Sequence, residues 1–260
     1  MFTPPLALAS LSGEADAEWA REGAAYAGAA FLGGIALDND ARAAARALVD
    51  RDRTEFLPAD PFQFVDRQLE RLEDVPIQPA FNVRSATPGP VAETARICRD
   101  RDALLEINAH CRQDELCAVG CGETLLRDAD RLQEYVERAA NTGATVGVKV
   151  RTAVPGVDLP ALARTIETAG GAFVHVDAMD SESVIADVVD ATDLFVIANN
   201  GVRDDETVRE YVDYGADAVS VGRPSDNPIV LDRVREAVDR RFGTTETTDS
   251  RAESQSWSRS

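Results

Sequence analysis

The chain has 260 residues, of which 44% are hydrophobic, and it carries a formal net charge of −19 at pH 7. This length allows one large α/β domain or two small ones. The acidity argues against a dedicated basic groove for nucleic acid, although phosphate contacts are screened anyway in concentrated salt.

The basic residues are almost all arginine: of the 27 Lys and Arg residues, only Lys149 is a lysine. Together with the acidity, this bias predicts a halophilic protein of a high-salt cytoplasm, where dense carboxylates keep a surface hydrated. No apolar run reaches the roughly 18 residues of a membrane span, and the N-terminus lacks the basic segment of a signal peptide. We therefore expect a cytoplasmic protein with no membrane partner and with its cysteines as thiols.

Short apolar runs that are typical of strands alternate with longer amphipathic or alanine-rich runs that are typical of helices. The predicted strands are Leu6–Leu11, Ala29–Leu37, Pro79–Ser85, Leu104–His110, Thr145–Thr152, Phe173–Ala178, Leu194–Asn200 and Ala218–Arg223. The predicted helices include Pro90–Arg99, Asp130–Asn141, Leu159–Ala169, Asp205–Tyr214 and Pro228–Phe242, with two more expected between Asp38 and Glu73.

Eight strands, each followed by helical sequence, predict a closed parallel (β/α)8 TIM barrel. An open doubly wound sheet is the alternative, but it usually has five or six strands and often a glycine fingerprint after the first. The barrel is predicted to be a single domain over residues 1–242. Residues 243–260 are rich in Ser, Thr, Glu and Asp, which predicts a disordered acidic tail.

Lys149 is the first candidate for a functional residue. It lies in the run Thr145–Thr152, which is typical of a buried strand, where an unpaired charge is costly. Arginine does not replace lysine where a compact, titratable charge is needed. Chance survival of one lysine at a strand end is the alternative. Lys149 and Arg151 share one face of the strand because strand side chains alternate.

Other candidates lie at predicted strand ends, where this fold places its functional residues. Both histidines do so, His110 after strand four and His175 in strand six. The turns after strands seven and eight contain Asn200-Gly201 and Gly222-Arg223. Glycine lets backbone N–H groups approach an anion, and the guanidinium of arginine can donate two parallel hydrogen bonds to it. These two turns are therefore interpreted as a phosphate site, with ordinary strand-ending turns as the alternative.

Cys111 follows strand four and is flanked by His110 and Arg112, and neighbouring positive charge makes a thiol more reactive. The spacing of Cys111, Cys117 and Cys121 matches no standard zinc or iron–sulfur pattern, so we predict no metal site. Cys98, Cys117 and Cys121 are interpreted as small buried hydrophobes.

The segment 105–128 resembles a stretch of the tRNA-dihydrouridine synthases, which are FMN-dependent (β/α)8 enzymes. Their motif I-N-x-G-C-P, followed by G-x-G-x-x-L-L-x-D, is matched here by Ile107, Asn108, Cys111, Gly120, Gly122, Leu125, Leu126 and Asp128. The similarity continues through Val148–Arg151, Val174-His175, Asn200-Gly201 and Val221–Arg223.

The resemblance implies a role for each matching residue. Asn82, where the family usually has Gln, and Asn108 contact the flavin ring. Lys149 faces the N1/O2 edge of the flavin, and His175 touches the flavin or its phosphate. Cys111 is the general acid that protonates C5 of a uracil ring while C6 receives hydride. The FMN phosphate is held by Asn200, Gly201, Gly222 and Arg223.

The resemblance therefore implies an FMN-dependent oxidoreductase that acts on the 5,6-bond of uracil in tRNA, with NADPH or NADH as electron donor. The family's Gly-Cys-Pro is His110-Cys111-Arg112 in this chain. We expect no counterpart of the family's helical C-terminal tRNA-binding domain, because only the predicted acidic tail follows the barrel. A dihydroorotate or dihydropyrimidine dehydrogenase-like enzyme that acts on free pyrimidines is the first alternative. A non-catalytic flavin-binding barrel is the second.

Overall fold

The computed structural model describes residues 1–243 and shows a closed barrel of eight parallel strands. The strands are β1 Leu6–Leu8, β2 Ala29–Ala36, β3 Gln78–Arg84, β4 Leu104–Asn108, β5 Thr145–Arg151, β6 Phe173–Asp177, β7 Phe195–Asn199 and β8 Ala218–Val221. The barrel closes where β1 pairs with β8, with Leu6 opposite Val219. The predicted (β/α)8 barrel is therefore confirmed and the open sheet is excluded. The predicted acidic tail lies outside the described residues, apart from Gly243.

Helices surround the barrel and connect its strands. They are α1 Ala17–Gly23, α2 Asn39–Val49, α3 Pro61–Glu70, α4 Pro88–Asp100, α5 Asp114–Ala118, α6 Glu123–Leu126, α7 Ala129–Ala140, α8 Leu159–Thr168, α9 Val184–Ala191, α10 Asp205–Asp213 and α11 Pro228–Phe242. The two helices expected between Asp38 and Glu73 are α2 and α3. Within residues 1–243, every helix is too short or too polar to cross a membrane.

Several strands end earlier than their hydrophobic runs predicted. β1 ends at Leu8 rather than Leu11, β4 at Asn108 rather than His110, and β8 at Val221, before a 3₁₀ turn at Arg223–Asp226. At β4 the cause is visible, because the side-chain oxygen of Asn108 accepts the backbone N–H groups of His110 and Cys111 and turns the chain out of the sheet. The residues after each strand therefore form loops at the carboxyl end of the barrel.

The interior of the barrel has an apolar lower layer, near the amino ends of the strands, and a polar upper layer, near their carboxyl ends. Strand side chains alternate between the two faces of a sheet, so every second residue points inward. The inward residues near the amino ends of the strands are apolar: Ala7, Ala29, Phe31, Ala80, Leu104, Phe173, Ile197 and Ala218. Two residues further along, the inward positions are Asn82, Glu106, Lys149, His175, Asn199 and Ser220. The outward faces form the main core against the helices.

A buried ion pair holds the long connection between α2 and α3 onto the barrel. Arg84, the last residue of β3, binds the carboxylate of Glu55 in two places, with Nη1 donating to Oε1 at 3.0 Å. Its Nη2 also donates to the carbonyl of Gly34. Both charged side chains are at least 97% buried, so neither charge has water as an alternative partner.

Replacing Glu55 with Gln is expected to lower the free energy of unfolding by about 3–5 kcal/mol, because Arg84 would remain buried without a counter-charge. Urea unfolding at constant salt measures this change. Glu18→Gln is the matched control, because the Arg71–Glu18 pair is exposed and is worth less than about 1 kcal/mol. Equal effects of the two substitutions would show that burial of the Arg84–Glu55 pair does not matter.

Candidate active site

A chain of hydrogen bonds crosses the upper layer of the barrel from β8 to β4. Nε2 of His175 lies 2.7 Å from Oγ of Ser220, and Nδ1 lies 2.6 Å from Oε1 of Glu106. The amide of Asn82 donates to the second oxygen of Glu106 at 2.5 Å, and Asn108 donates to Oδ1 of Asn82 at 2.9 Å. All five residues are at least 94% buried. A polar network this deep is stable only because every member has a partner.

Glu106 is the charged centre of this network. Burial on its own would raise the pKa of Glu106, but His175, Lys149 and the hydrogen bond from Asn82 outweigh burial and hold that pKa below its usual value. Burial and the charge of Lys149 lower the pKa of His175, against the opposing pull of Glu106. The pair is therefore an ionised carboxylate that accepts from a neutral imidazole. Glu106 was absent from the predicted site.

Lys149 lies beside the network with no partner of its own. It pairs in register with Asn108 on β4 and His175 on β6, and only 3% of its surface is exposed. Among residues 1–243, no side chain forms a hydrogen bond or an ion pair with its ammonium group. Burial lowers the pKa of Lys149, and the nearby charges of Glu106 and Asp177 partly oppose this. A buried cation without a contact partner is costly, so this position suits an anionic group from outside the chain.

Cys111 occupies a short loop between β4 and α5 and is half-buried. Its backbone N–H donates to Oδ1 of Asn108 at 3.1 Å, and its carbonyl accepts from the backbone of Glu123 at 2.8 Å. Gly122 packs directly on this loop, where a Cβ atom would lie 2.1 Å from the carbonyl oxygen of Cys111. The absence of a side chain at Gly122 therefore fixes the path of the loop that carries Cys111.

His110 lies between Asn108 and Cys111 at the mouth of the barrel and is half-buried. Its backbone nitrogen and its ring Nδ1 each lie 3.3 Å from Oδ1 of Asn108. Burial lowers the pKa of His110 well below its usual value, and the charge of Lys149 lowers it further, with smaller contributions from Arg151 and Arg84. The ring is therefore neutral at pH 7.

The two predicted phosphate turns lie after β7 and β8 and are open to solvent on one side. Gly201 is exposed with a φ of +66°, and no atom lies within 4 Å of the position that a Cβ would take on Gly222. The guanidinium of Arg223 is exposed and makes no hydrogen bond or ion pair within the described part of the chain. Asn200 is half-buried, and its carbonyl accepts from the hydroxyl of Tyr211 at 2.9 Å. Space and a free cation are thus available for an anion.

The structure brings most of the predicted residues to one end of the barrel but separates them by depth. Asn82 and His175 are fully buried, and their polar side-chain atoms are already bound within the chain. Their effect on a ligand would therefore pass through Asn108 and Lys149. Sequence analysis also missed Ser220 and the pairing of Arg84 with Glu55. Glu106 and Ser220 could have been selected from sequence because both lie at inward-facing positions of their strands.

The cysteines do not form a metal centre in the part of the chain that is described. Within residues 1–243, no group of three His, Cys, Asp or Glu side chains converges in a way that could hold a metal ion. Cys98 and Cys121 are buried, and burial raises the pKa of each thiol to about 12. Cys117 is half-buried rather than buried, and its thiol donates to the carbonyl of Cys111 at 3.5 Å.

Comparison with known proteins decides the family. The dihydrouridine synthase (Dus) family model matches residues 64–256. The chain belongs to the dihydrouridine synthase family. That family consists of FMN-dependent oxidoreductases, so the chain is assigned to this class. An uncharacterized protein of Methanocaldococcus jannaschii is 24% identical over 229 residues, which cover 83% of this chain and 87% of the relative.

Solved structures share the fold at low identity. A mutant morphinone reductase, solved in complex with tetrahydroNAD, has a TM-score of 0.66 at 12% identity over 90% of this chain and 87% of its own. FabK of Thermotoga maritima, also solved as a mutant, has a TM-score of 0.57 at 15% identity over 85% of this chain, which spans 61% of the FabK chain. A chain of the Pyrococcus furiosus tryptophan synthase complex also scores 0.57 at 15% identity, over 94% of this chain and 100% of its own. These similarities concern the barrel alone.

Proposed function

We propose that this member of the dihydrouridine synthase family reduces the 5,6-bond of a uracil ring in tRNA, with bound FMN and with NADPH or NADH as electron donor. The unpartnered ammonium of Lys149 carries the proposal. It is a fixed cation, 97% buried, at the carboxyl end of β5, where a bound ligand would meet it. A preorganised charge of this kind stabilises negative charge that develops on a ligand.

The residues around Lys149 fit a flavin ring and its phosphate. Lys149 would face the N1/O2 edge of the ring, and Asn108 would contact the ring with Asn82 holding it from behind. His175 would support Lys149 from the adjacent strand through Glu106. The phosphate would lie at the open turns of Asn200-Gly201 and Gly222-Arg223, where backbone N–H groups and a guanidinium are available.

Bound FMN supplies hydride chemistry, and the chain supplies binding, charge and a proton. The thiol of Cys111, in the loop next to Asn108, would donate a proton to C5 of the uracil ring. Burial lowers the pKa of Lys149, and the charges of Glu106 and Asp177, which favour the ammonium form, partly oppose this.

A free pyrimidine is the second candidate substrate, and the charge of the chain favours it. With a net charge of −19 at pH 7, the protein repels the phosphates of tRNA at low ionic strength. Screening in molar salt weakens this repulsion. Affinity for a tRNA transcript is therefore expected to rise with salt concentration, the reverse of ordinary protein–RNA binding.

The flavin part of the proposal is tested on the full chain purified at high salt. We expect a yellow protein that releases FMN on denaturation, or a colourless protein that takes up FMN stoichiometrically. Protein that stays colourless after incubation with excess FMN would contradict the proposal. Heat-denatured protein taken through the same incubation controls for non-specific adsorption of the flavin.

The substrate part is tested with the FMN-loaded chain, reduced by NADPH, on a tRNA transcript and on free uracil, uridine and dihydroorotate. Formation of dihydrouridine in the transcript supports the first candidate. Turnover of a free pyrimidine alone supports the second. If the flavin is bound but none of these compounds turns over, the non-catalytic flavin-binding barrel is the remaining explanation.

A further inference from the structure

The direction of every hydrogen bond around Glu106 is fixed by the chemistry of its partners. An ionised carboxylate only accepts hydrogen bonds, so Asn82 must present its NH2 group to Glu106. Oδ1 of Asn82 then faces Asn108 and must accept, so Asn108 donates its own NH2 group. This leaves Oδ1 of Asn108 pointing away from Glu106, toward the loop that follows β4.

Oδ1 of Asn108 meets three nitrogen atoms in that loop. They are the backbone nitrogens of His110 at 3.3 Å and Cys111 at 3.1 Å, and ring Nδ1 of His110 at 3.3 Å. An amide oxygen only accepts, so Nδ1 of His110 must carry a hydrogen atom. Because burial and Lys149 keep this ring neutral, its Nε2 has a lone pair and no hydrogen. The oxygen of Asn108, held in this direction by the backbone N–H of Cys111, thus sets the tautomer of His110.

Nε2 of His110 is an acceptor in a cationic environment. No hydrogen bond to this nitrogen is made by any residue of the described chain, and the side chain lies half-buried at the mouth beside Cys111. Lys149, Arg151 and Arg84 are close enough to lower its pKa. The mouth therefore offers a hydrogen-bond acceptor. N3–H of uracil is a donor that fits this acceptor, whereas N3 of cytosine is itself an acceptor.

We propose that Nε2 of His110 accepts a hydrogen bond from N3–H of the uracil ring, and that Asn108 is a positioning residue whose side-chain oxygen fixes the required tautomer. This inference rests on the proposed function, since it states how that site distinguishes its pyrimidine. It concerns a residue that replaces the glycine of the family motif, so it is particular to this chain.

The tautomers are measured directly by nitrogen NMR, because the chain has only two histidines. In full-length FMN-loaded protein labelled with ¹⁵N-histidine, we expect both rings to be neutral with hydrogen on Nδ1, since Glu106 accepts from His175 as well. His110→Gln assigns the two sets of signals. A charged His110 at pH 7, or a His110 with hydrogen on Nε2, overturns the proposal.

Glu106→Gln tests whether Asn108 holds His110 independently of the carboxylate. A glutamine has one acceptor and one donor where the carboxylate has two acceptors, so it cannot accept from both Asn82 and His175. We expect His175 to move its hydrogen to Nε2 and donate to Ser220, while His110 keeps its hydrogen on Nδ1 because the backbone of Cys111 still needs the oxygen of Asn108. If His110 moves its hydrogen to Nε2 in the folded variant, Asn108 does not fix its tautomer and the positioning role is overturned. The wild-type measurement stands if this variant does not fold.

Turnover tests the contact with substrate. With whichever uracil compound the wild type turns over, His110→Phe is expected to lower kcat/KM about 10-fold or more, mostly through KM, because the N3–H loses its acceptor. His110→Gln keeps an acceptor oxygen and is expected to recover most of that loss. Wild-type kcat/KM in His110→Phe, or equal losses in the two variants, overturns the contact.

Failure of the proposed function gives a different result. In that case the wild type turns over neither tRNA nor any free pyrimidine, so the contact with uracil falls with it. The NMR measurement needs no turnover and still decides whether Asn108 positions His110.

Discussion

Cys111→Ala is expected to lower turnover of the uracil substrate by about 10²–10⁴-fold, the usual contribution of a positioned proton donor. The thiol is half-buried in a loop that three contacts hold in place: the side chain of Asn108, the backbone of Glu123 and the close packing of Gly122. Its removal takes away the proton that C5 must receive, whereas Lys149 and the open turns near Arg223 remain. We therefore expect FMN content and flavin reduction by NADPH to be unchanged.

Rapid-mixing measurements separate the two half-reactions of Cys111→Ala, with NADPH oxidation in one and reoxidation of the flavin by substrate in the other. Cys117→Ala is the matched control, since Cys117 is a half-buried thiol of the same segment and its side chain makes only a weak bond to the carbonyl of Cys111. We expect it to stay within a few-fold of the wild type. If Cys111→Ala retains full turnover, the proton comes from another group.

Lys149→Met is expected to slow flavin reduction by about 10²–10³-fold, because the only buried cation without a contact partner in the described site is lost. Lys149→Arg is expected to restore little. A guanidinium is larger and planar, and the space between Asn108 and His175 is closed on both sides by the neighbouring strands. Stopped-flow measurement of flavin reduction compares the two variants with the wild type.

Lys149→Met is expected to lower activity without lowering the free energy of unfolding of the apoprotein. The apoprotein pays a desolvation cost for an ammonium that has no hydrogen bond, so a methionine of similar length should leave its free energy of unfolding unchanged or raise it. Urea unfolding of both apoproteins at the same salt concentration measures this. A large loss of stability would mean that the ammonium has a structural partner, and normal flavin reduction in either variant would contradict the assignment to the flavin.

The site was predictable from sequence where a residue type is unusual or a motif is continuous. Lys149 was found because it is the only lysine of the chain, and Cys111 because it follows a strand within a segment that resembles a known motif. Glu106 lies in a predicted strand but was not selected as a candidate site residue. One acidic residue in the buried strand 104–108 has no meaning until its partner is known, and that partner, His175, is 69 residues away.

The lengths of the strands were overestimated for a related reason. The apolar runs predicted strands that continue to Leu11 and His110, whereas β1 and β4 end at Leu8 and Asn108 and make one further backbone hydrogen bond to a neighbouring strand, from Ala9 and Ala109. At β4 the stop is made by a side chain that captures backbone N–H groups of the following loop. Such competition between side chain and sheet depends on local geometry, which a hydrophobic pattern does not contain.

The sequence by itself determined the eight alternating strand and helix segments, and hence the barrel, because the periodicity of apolar residues is a local property of the chain. It also placed the candidate residues at the strand ends. Only the tertiary structure decided which inward side chains meet. The stagger of the closed barrel brings Glu106 between Asn82 and His175, and His175 next to Ser220. That stagger is set by pairing between strands that are distant in sequence. The sequence therefore did not show that some of the candidate residues lie in a buried hydrogen-bonded layer and others at the open mouth.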